Sequence, residues 1–415
     1  MRYFRDLIIV CLSLFLLSGC YDKTEMEQQG YVAALGLDKT EGEEGLFDIT
    51  YQISNPEVGT QATGGGTQEK PKYTYTLSAT DFLSAQNTAN SFISREITLD
   101  FTKILVVSEE LARSDEFMNI METASRTKTL KSNVNIIVSK ERAQEFLGNI
   151  KSELETRPHK YFQFIINRAT EIGIIPKADI HNFFQITEGD ADLYLAMYAT
   201  SQREGKLRKN EDGYIAGEVP QKGKKEIQFI GSAVFKEGKL IDVITGDETR
   251  ICNVLDNTKQ MTDVLAVYPD PIKNKYKITL KFVKNKKTKV DIHYQKEKTT
   301  EINVLVPVEI EILSVPSLVD YSSNDKNKEL LIKNLENDLE TKYKKFIAKT
   351  QEEYKTDPFY WSIYIRKYFT TISAYEEANW SQKIYPNANI DVDVKLEKIR
   401  FGKNLKATNL SQVRD

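Results

Sequence analysis

Cysteine is nearly absent from this 415-residue chain: there are three, Cys11, Cys20 and Cys252, and two of them fall in the first twenty residues. A disulfide framework is therefore excluded, and the fold has to stand on packed cores. Histidine is equally scarce. His159, His181 and His293 lie far apart, and none has a Cys, His or carboxylate at a zinc-type spacing. No Gly-x-Ser-x-Gly elbow occurs, and Cys252 has no histidine near it in sequence. Gly217 to Lys224 comes nearest to a phosphate loop, but five residues separate its glycines and Lys225 stands where Ser or Thr is needed. Carboxylates are numerous, so counting does not exclude a catalytic pair, and nothing recommends one. With a net charge of -3 there is no global basis for binding nucleic acid. These absences argue against an enzyme: no catalytic, cofactor-binding or metal-ligating residue is assigned, and no cofactor is expected.

Long apolar runs are missing too, except for one. Leu7 to Leu17 carries no charge, follows the cationic Met1-Arg2-Tyr3-Phe4-Arg5 and closes on Leu17-Ser18-Gly19-Cys20. Eleven residues in a helix reach about 16 Å, against a hydrocarbon core of about 30 Å, so the run cannot span as a mature helix. Its order is that of a bacterial lipoprotein signal. Residues 1–19 are expected to be a removed signal peptide, and Cys20 to carry a diacylglyceryl group that holds the chain on the outer face of a membrane. Cys252 is then alone in the mature chain.

The rest reads as α+β, multidomain, with mixed and antiparallel sheets. Residues 20–202 form the expected N-terminal α/β domain. Tyr31 to Leu37 and the alternating Phe47, Ile49, Tyr51 and Ile53 read as a strand pair, with another strand at Tyr73, Tyr75 and Leu77. Asp81 is placed to cap a helix with Phe82, Ala85, Ala89, Phe92 and Ile93 on one face. Two βα steps follow, Ile104 to Val107 into a helix from Glu109, and Val134 to Val138 into a helix from Lys140. Helical patterns at Tyr161 to Thr170 and Asp179 to Thr187 precede an apolar stretch, Leu193 to Tyr198.

Residues 203–225, polar and rich in Lys, Glu and Gly, are expected to be a linker or a long hairpin loop. Residues 226–415 form the expected C-terminal α+β domain. A hairpin, Phe229 to Ile244, leads to a helix from Asp247 and then to strands at Tyr276 to Val283, Val290 to Tyr294 and Ile302 to Leu313, in a mainly antiparallel sheet with one wet face. The long amphipathic helix, 324–354, carries Leu331, Leu335, Leu339, Tyr343 and Phe346 on a stripe expected to pack on that sheet. An aromatic helix, Tyr360 to Phe369, and a final strand, Ile390 to Ile399, follow. Between Pro271 and Thr300 ten lysines face only Asp291 and Glu297. They read either as the solvated face of a hairpin that discourages edge pairing, or as a surface for anionic lipid or an acidic partner.

With these elements in order, the chain resembles the Ger(x)C family, the lipoprotein C subunits of spore germination nutrient receptors. The likeness is carried by Tyr21-Asp22-Lys23-Thr24-Glu25 after Cys20, Leu35-Gly36-Leu37-Asp38, Tyr51-Gln52-Ile53 with Asn55-Pro56, Lys103 to Ala112, Ala233-Val234-Phe235-Lys236 with Gly238-Lys239-Leu240, and Gly246-Asp247-Glu248-Thr249-Arg250. Two departures stand out. Asp100-Phe101-Thr102 replaces a segment that often holds His, and Asp357-Pro358-Phe359-Tyr360 lacks the usual glycine. The resemblance implies several α/β domains and a non-enzymatic, membrane-anchored subunit on the outer face of the spore inner membrane. It would act with two polytopic membrane subunits, A-type and B-type, in nutrient-triggered germination. The alternative is a solute-binding lipoprotein of a transporter, which would show two doubly wound lobes.

Overall fold

The computed structural model describes residues 3–4, 28–43, 45–55, 72–150, 155, 157–189, 193–205, 213–223, 226–256 and 261–402. Two sheets carry the chain. The first contains β1 (Gln29–Lys39), β2 (Phe47–Ser54), β3 (Lys72–Ala79), β4 (Glu96–Thr98), β5 (Ile104–Ser108), β6 (Asn135–Ser139), β7 (Tyr194–Thr200), β8 (Gln228–Lys236) and β9 (Lys239–Ile244). Their order is β3-β2-β1-β5-β6-β7-β8-β9, with β4 beside the start of β1. The centre, β1-β5-β6-β7, is parallel, and antiparallel strands extend it on both sides. All of β5 and nearly all of β6 are buried, as central parallel strands covered on both faces must be.

The helices of this half are α1 (Phe82–Ala89), α2 (Glu109–Ala112), α3 (Glu116–Ser125), α4 (Ala143–Asn149), α5 (Pro158–Glu171) and α6 (Ile180–Thr187). Asp81 caps α1 by accepting from Leu83 N and Ser84 N at 2.8 and 2.9 Å. Phe82, Ala85 and Ala89 are buried as expected. The helix itself stops at Ala89, short of the expected extent: beyond it Ile93 is still buried in the first core, whereas Phe92 is 53% exposed, its ring 6.3 Å from that of Tyr75. The helix expected from Lys140 begins at Ala143 because its cap comes from another strand. Asp38, at the end of β1, accepts from Ala143 N (2.7 Å) and Gln144 N (2.9 Å).

The connection 203–225 joins β7 to β8, which are antiparallel neighbours, so the hairpin expected to open the second half belongs by pairing to the first sheet. In β8, Gly231 sits at a φ of 95°, and a Cβ there would lie 2.4 Å from Ile244 O. The β8–β9 turn places Glu237 (φ 51°) and Gly238 (φ 79°) in the left-handed region, as a tight two-residue hairpin requires.

After α7 (Gly246–Leu255) come β10 (Met261–Pro269), β11 (Lys277–Lys284), β12 (Lys289–His293), β13 (Glu301–Ser314), α8 (Asp325–Lys349), α9 (Ser362–Ile365), α10 (Ile372–Ala378) and β14 (Asn389–Phe401). In this second sheet β11 and β12 lie end to end along one edge of β13, with β10 outside β11. The other edge of β13 pairs with β14 over Glu301–Ile312, in parallel. The alternation of β13 holds: Ile302, Val304, Val306, Val308, Ile310 and Ile312 are all buried. The sheet is not a second doubly wound lobe.

Helix α8 runs beside β14 with Leu331, Leu335, Leu339, Tyr343 and Phe346 buried. One wide turn, Thr350–Tyr354, continues it, so the expected 324–354 helix is nearly complete. The aromatic helix expected over Tyr360–Phe369 is broken instead into α9 and a tight turn at Arg366–Tyr368. Tyr360, at a φ of 60°, prevents a helical start.

Strand β14 would leave an open edge, but two carboxylates of α8 close it. Glu340 accepts from Val394 N at 3.0 Å and Glu336 from Leu396 N at 2.9 Å, standing in for a neighbouring strand. Replacing both glutamates by alanine is expected to cost about 2–4 kcal/mol in urea unfolding and to produce concentration-dependent association visible by light scattering. An unchanged midpoint would show that the edge does not depend on them.

Candidate functional site

Two cores meet at one wall. In β8, Ala233 and Phe235 face the first core while Val234 belongs to the second, and Leu193 and Leu195 divide in the same way from Tyr194 and Ala196. This is the period-2 alternation of a strand buried on both sides. The wall formed by β7, β8 and β9 is thus shared, and the polar groups at its margin tie the halves together.

At that margin Lys349, in the last turn of α8, lies 3.1 Å from Asp242 of β9 and 3.4 Å from Glu248 of α7. Glu248 also completes a capping box with Thr245. The Tyr354 hydroxyl donates to Asp242, and Lys236 Nζ donates to Tyr354 O at 2.9 Å. Burial opposes the charge on Lys349, but Glu248 and Asp242 outweigh it and raise its pKa. These groups are half-buried, so each pair contributes on the order of 1 kcal/mol or less, and geometry is their main effect.

Behind them Asp357 is fully buried. Its carboxylate accepts from Phe359 N (2.9 Å), Trp361 N (3.0 Å) and Trp380 Nε1 (2.8 Å), while its backbone carbonyl accepts from Leu193 N (3.3 Å), just before β7. Phe346, Phe359, Trp361, Trp380 and Tyr385 pack around it with ring centroids 4.8 to 6.5 Å apart. Tyr360 adopts the left-handed backbone that a glycine would take freely, so the loop keeps that geometry without one. Burial pushes the Asp357 carboxyl up to about 6, against the bonds from Trp361, Trp380 and Phe359 that lower it.

Cys20 and Cys11 lie outside the described residues. Cys252 is buried and in no disulfide. His159 is held below its usual pKa by burial and by Arg157 and Lys160. His293 stands 3.2 Å from Asp291 on the surface. Among the described residues no three His, Cys, Asp or Glu side chains are grouped to hold a metal. In the Gly217 loop the N–H groups of Gly217 and Val219 are bound by the Gln228 side chain, at 2.7 and 3.3 Å. Lys284 departs from the expected basic face: it is buried, with Nζ donating to Val254 O and Asp256 O at 2.8 Å each.

At the ends of the parallel strands, where open α/β sheets bind ligands, Asp38 is engaged by α4. Glu141 accepts from Thr200 and from Ser201 N and Oγ. Two depressions of ≈ 390 and ≈ 380 Å³ share Glu188. One is lined by Arg366, Phe369, Ile372 and Tyr375, the other by Leu130, Ile180, His181 and Phe184. Among the described residues no helix is long and apolar enough to cross a membrane. Sequence reasoning missed the Asp357 cluster as a joint; the only signal was the concentration of aromatics around it.

As the pH falls through about 6 the folded chain takes up a proton at Asp357. The unfolded chain does so only near the ordinary carboxylate value of 3.8, so acidification between these values stabilises the fold at this site, and ionisation above about 6 carries a cost. Asp357→Asn is expected to remove about 1 kcal/mol of the stability change between pH 7 and 5. It also sets an amide N–H against Trp380 Nε1, at a cost of about 1–3 kcal/mol. Urea unfolding at both pH values reads each effect, and an unaltered pH slope would contradict the assignment.

Comparison with known proteins gives two family matches. The spore germination protein N-terminal domain matches residues 22–200, and the spore germination B3/GerAC-like C-terminal domain matches residues 230–402. Among curated relatives from Bacillus subtilis (strain 168), putative spore germination protein YfkR is 23% identical over 266 residues, 63% of each chain. Spore germination protein KC is 24% identical over 36% of this chain and 37% of that protein. The chain thus spans less than two thirds of these two. Spore germination protein B3 is 23% identical over 95% of this chain and 97% of its own length. The crystal structure of the GerBC protein aligns over 88% of this chain and 96% of that one, with 16% identity and a TM-score of 0.48.

Proposed function

Because this chain belongs to the Ger(x)C family of spore germination proteins, we propose that it is the C-type subunit of a nutrient germinant receptor. In this reading it is held on the outer face of the spore inner membrane by lipid on Cys20 and works beside two polytopic subunits, A-type and B-type. The observation that carries the reading is the ordered match of both family domains behind Leu17-Ser18-Gly19-Cys20. The lack of a spanning helix among the described residues is in keeping with attachment through lipid. The subunit then contributes shape and contact rather than chemistry. Its large buried wall suits a rigid body that transmits contact between partners.

Deleting the gene in a sporulating host that lacks other nutrient receptors is expected to abolish nutrient-triggered germination while leaving germination by non-nutrient agents. Unchanged nutrient germination would count against the assignment. Cys20→Ala is expected to give an uncleaved or mislocalised precursor, read by fractionation and acyl labelling. Normal processing and membrane retention of that variant would rule out lipid at Cys20.

A further inference from the structure

The tip of the second sheet combines features that a solvated hairpin does not need. Between β10 and β11, Asp270 is buried and accepts from Ile272 N (2.8 Å), Lys273 N (2.9 Å), the Ser317 hydroxyl and Tyr321 OH (2.6 Å). Lys273 Nζ donates to Ser317 O at 2.9 Å. The hairpin is therefore clamped to the segment after β13. On this clamped tip, Leu318 is 69% exposed, Leu313 46%, Ile272 40% and Tyr276 39%. Lys273, Lys275 and Lys277 are exposed among them. Asp320, also nearby, is engaged by Ser322 and Ser323.

Leu318 has a φ of 57°. A leucine in the left-handed region is strained by about 1–2 kcal/mol, and here it is turned to solvent where burial does not compensate. Apolar side chains interleaved with lysines and an interfacial tyrosine are the composition of a surface that enters the headgroup boundary of an anionic bilayer. Lysine stems cover apolar surface while their ammonium groups stay among phosphates. We propose that this tip, with Leu318 at its apex, rests in the interface of an anionic phospholipid membrane and sets the orientation of the chain above it.

This inference rests on the membrane attachment proposed above, and the test separates the two. The full-length chain with Leu318→Cys, labelled with an environment-sensitive fluorophore, is reconstituted on vesicles containing phosphatidylglycerol or on phosphatidylcholine alone. Brominated acyl chains serve as quencher, and the unsubstituted chain labelled in parallel reports reaction at Cys20 or Cys252. The expected result is a blue shift and quenching on anionic vesicles. Lys275→Gln with Lys277→Gln is expected to weaken the tip's partition roughly tenfold or more. No quenching on either vesicle overturns the proposal, as does quenching indifferent to anionic lipid and to the lysines. A label unquenched on vesicles but shielded in native spore membranes marks a protein partner and also overturns it. Failure of the anchor reads out separately, as a chain that does not sediment with neutral vesicles.

Discussion

The wall of β7, β8 and β9 is the constraint on which the rest of the chain depends. Both of its faces are covered, one by the first core and one by the second. Neither half can be completed without it, because removing either core would expose Leu195 and Val234 or Tyr194 and Phe235. The polar margin follows from the same arrangement. Lys349, Asp242, Glu248 and Tyr354 fix how α8 leaves the wall, and Asp357 fixes the aromatic cluster behind it.

The matched family domains and the sheet divide the chain differently. One domain match ends at residue 200 and the other begins at residue 230, but the strands on either side of that interval are hydrogen-bonded neighbours. A boundary in sequence is here an internal seam of one sheet. Relative motion of the two halves would have to break β7–β8 pairing, so the chain is built to move as one body across this seam.

Elements with a local signature were legible in the sequence. Asp81 as a cap, the Lys236–Lys239 turn, the alternation of β13 and the stripe of α8 are set by neighbours a few residues away. What escaped depends on distant partners. Strand β10 shows no clean alternation, and its partner β11 lies across a turn rich in proline and charge. Lys284 looked like its exposed neighbours, and only the fold brings Val254 O and Asp256 O to its ammonium. Glu336 and Glu340 read as ordinary solvent-facing positions on a helix until β14 is placed beside them. Cys20, expected from the sequence to carry lipid, lies outside the described residues.

The position of β14 has a consequence for how the chain is made. This strand, the last among the described residues, lies between β13, a parallel partner, and α8, both formed from residues much earlier in the chain. Until residues 389–401 are available, the long edge of β13 has no partner and the α8 glutamates have no N–H groups to accept. The second half is therefore a cooperative unit whose closure waits for β14, so that the second edge of β13 is not completed until a strand more than seventy residues further along the chain is in place, with sequence-distant contacts forming last.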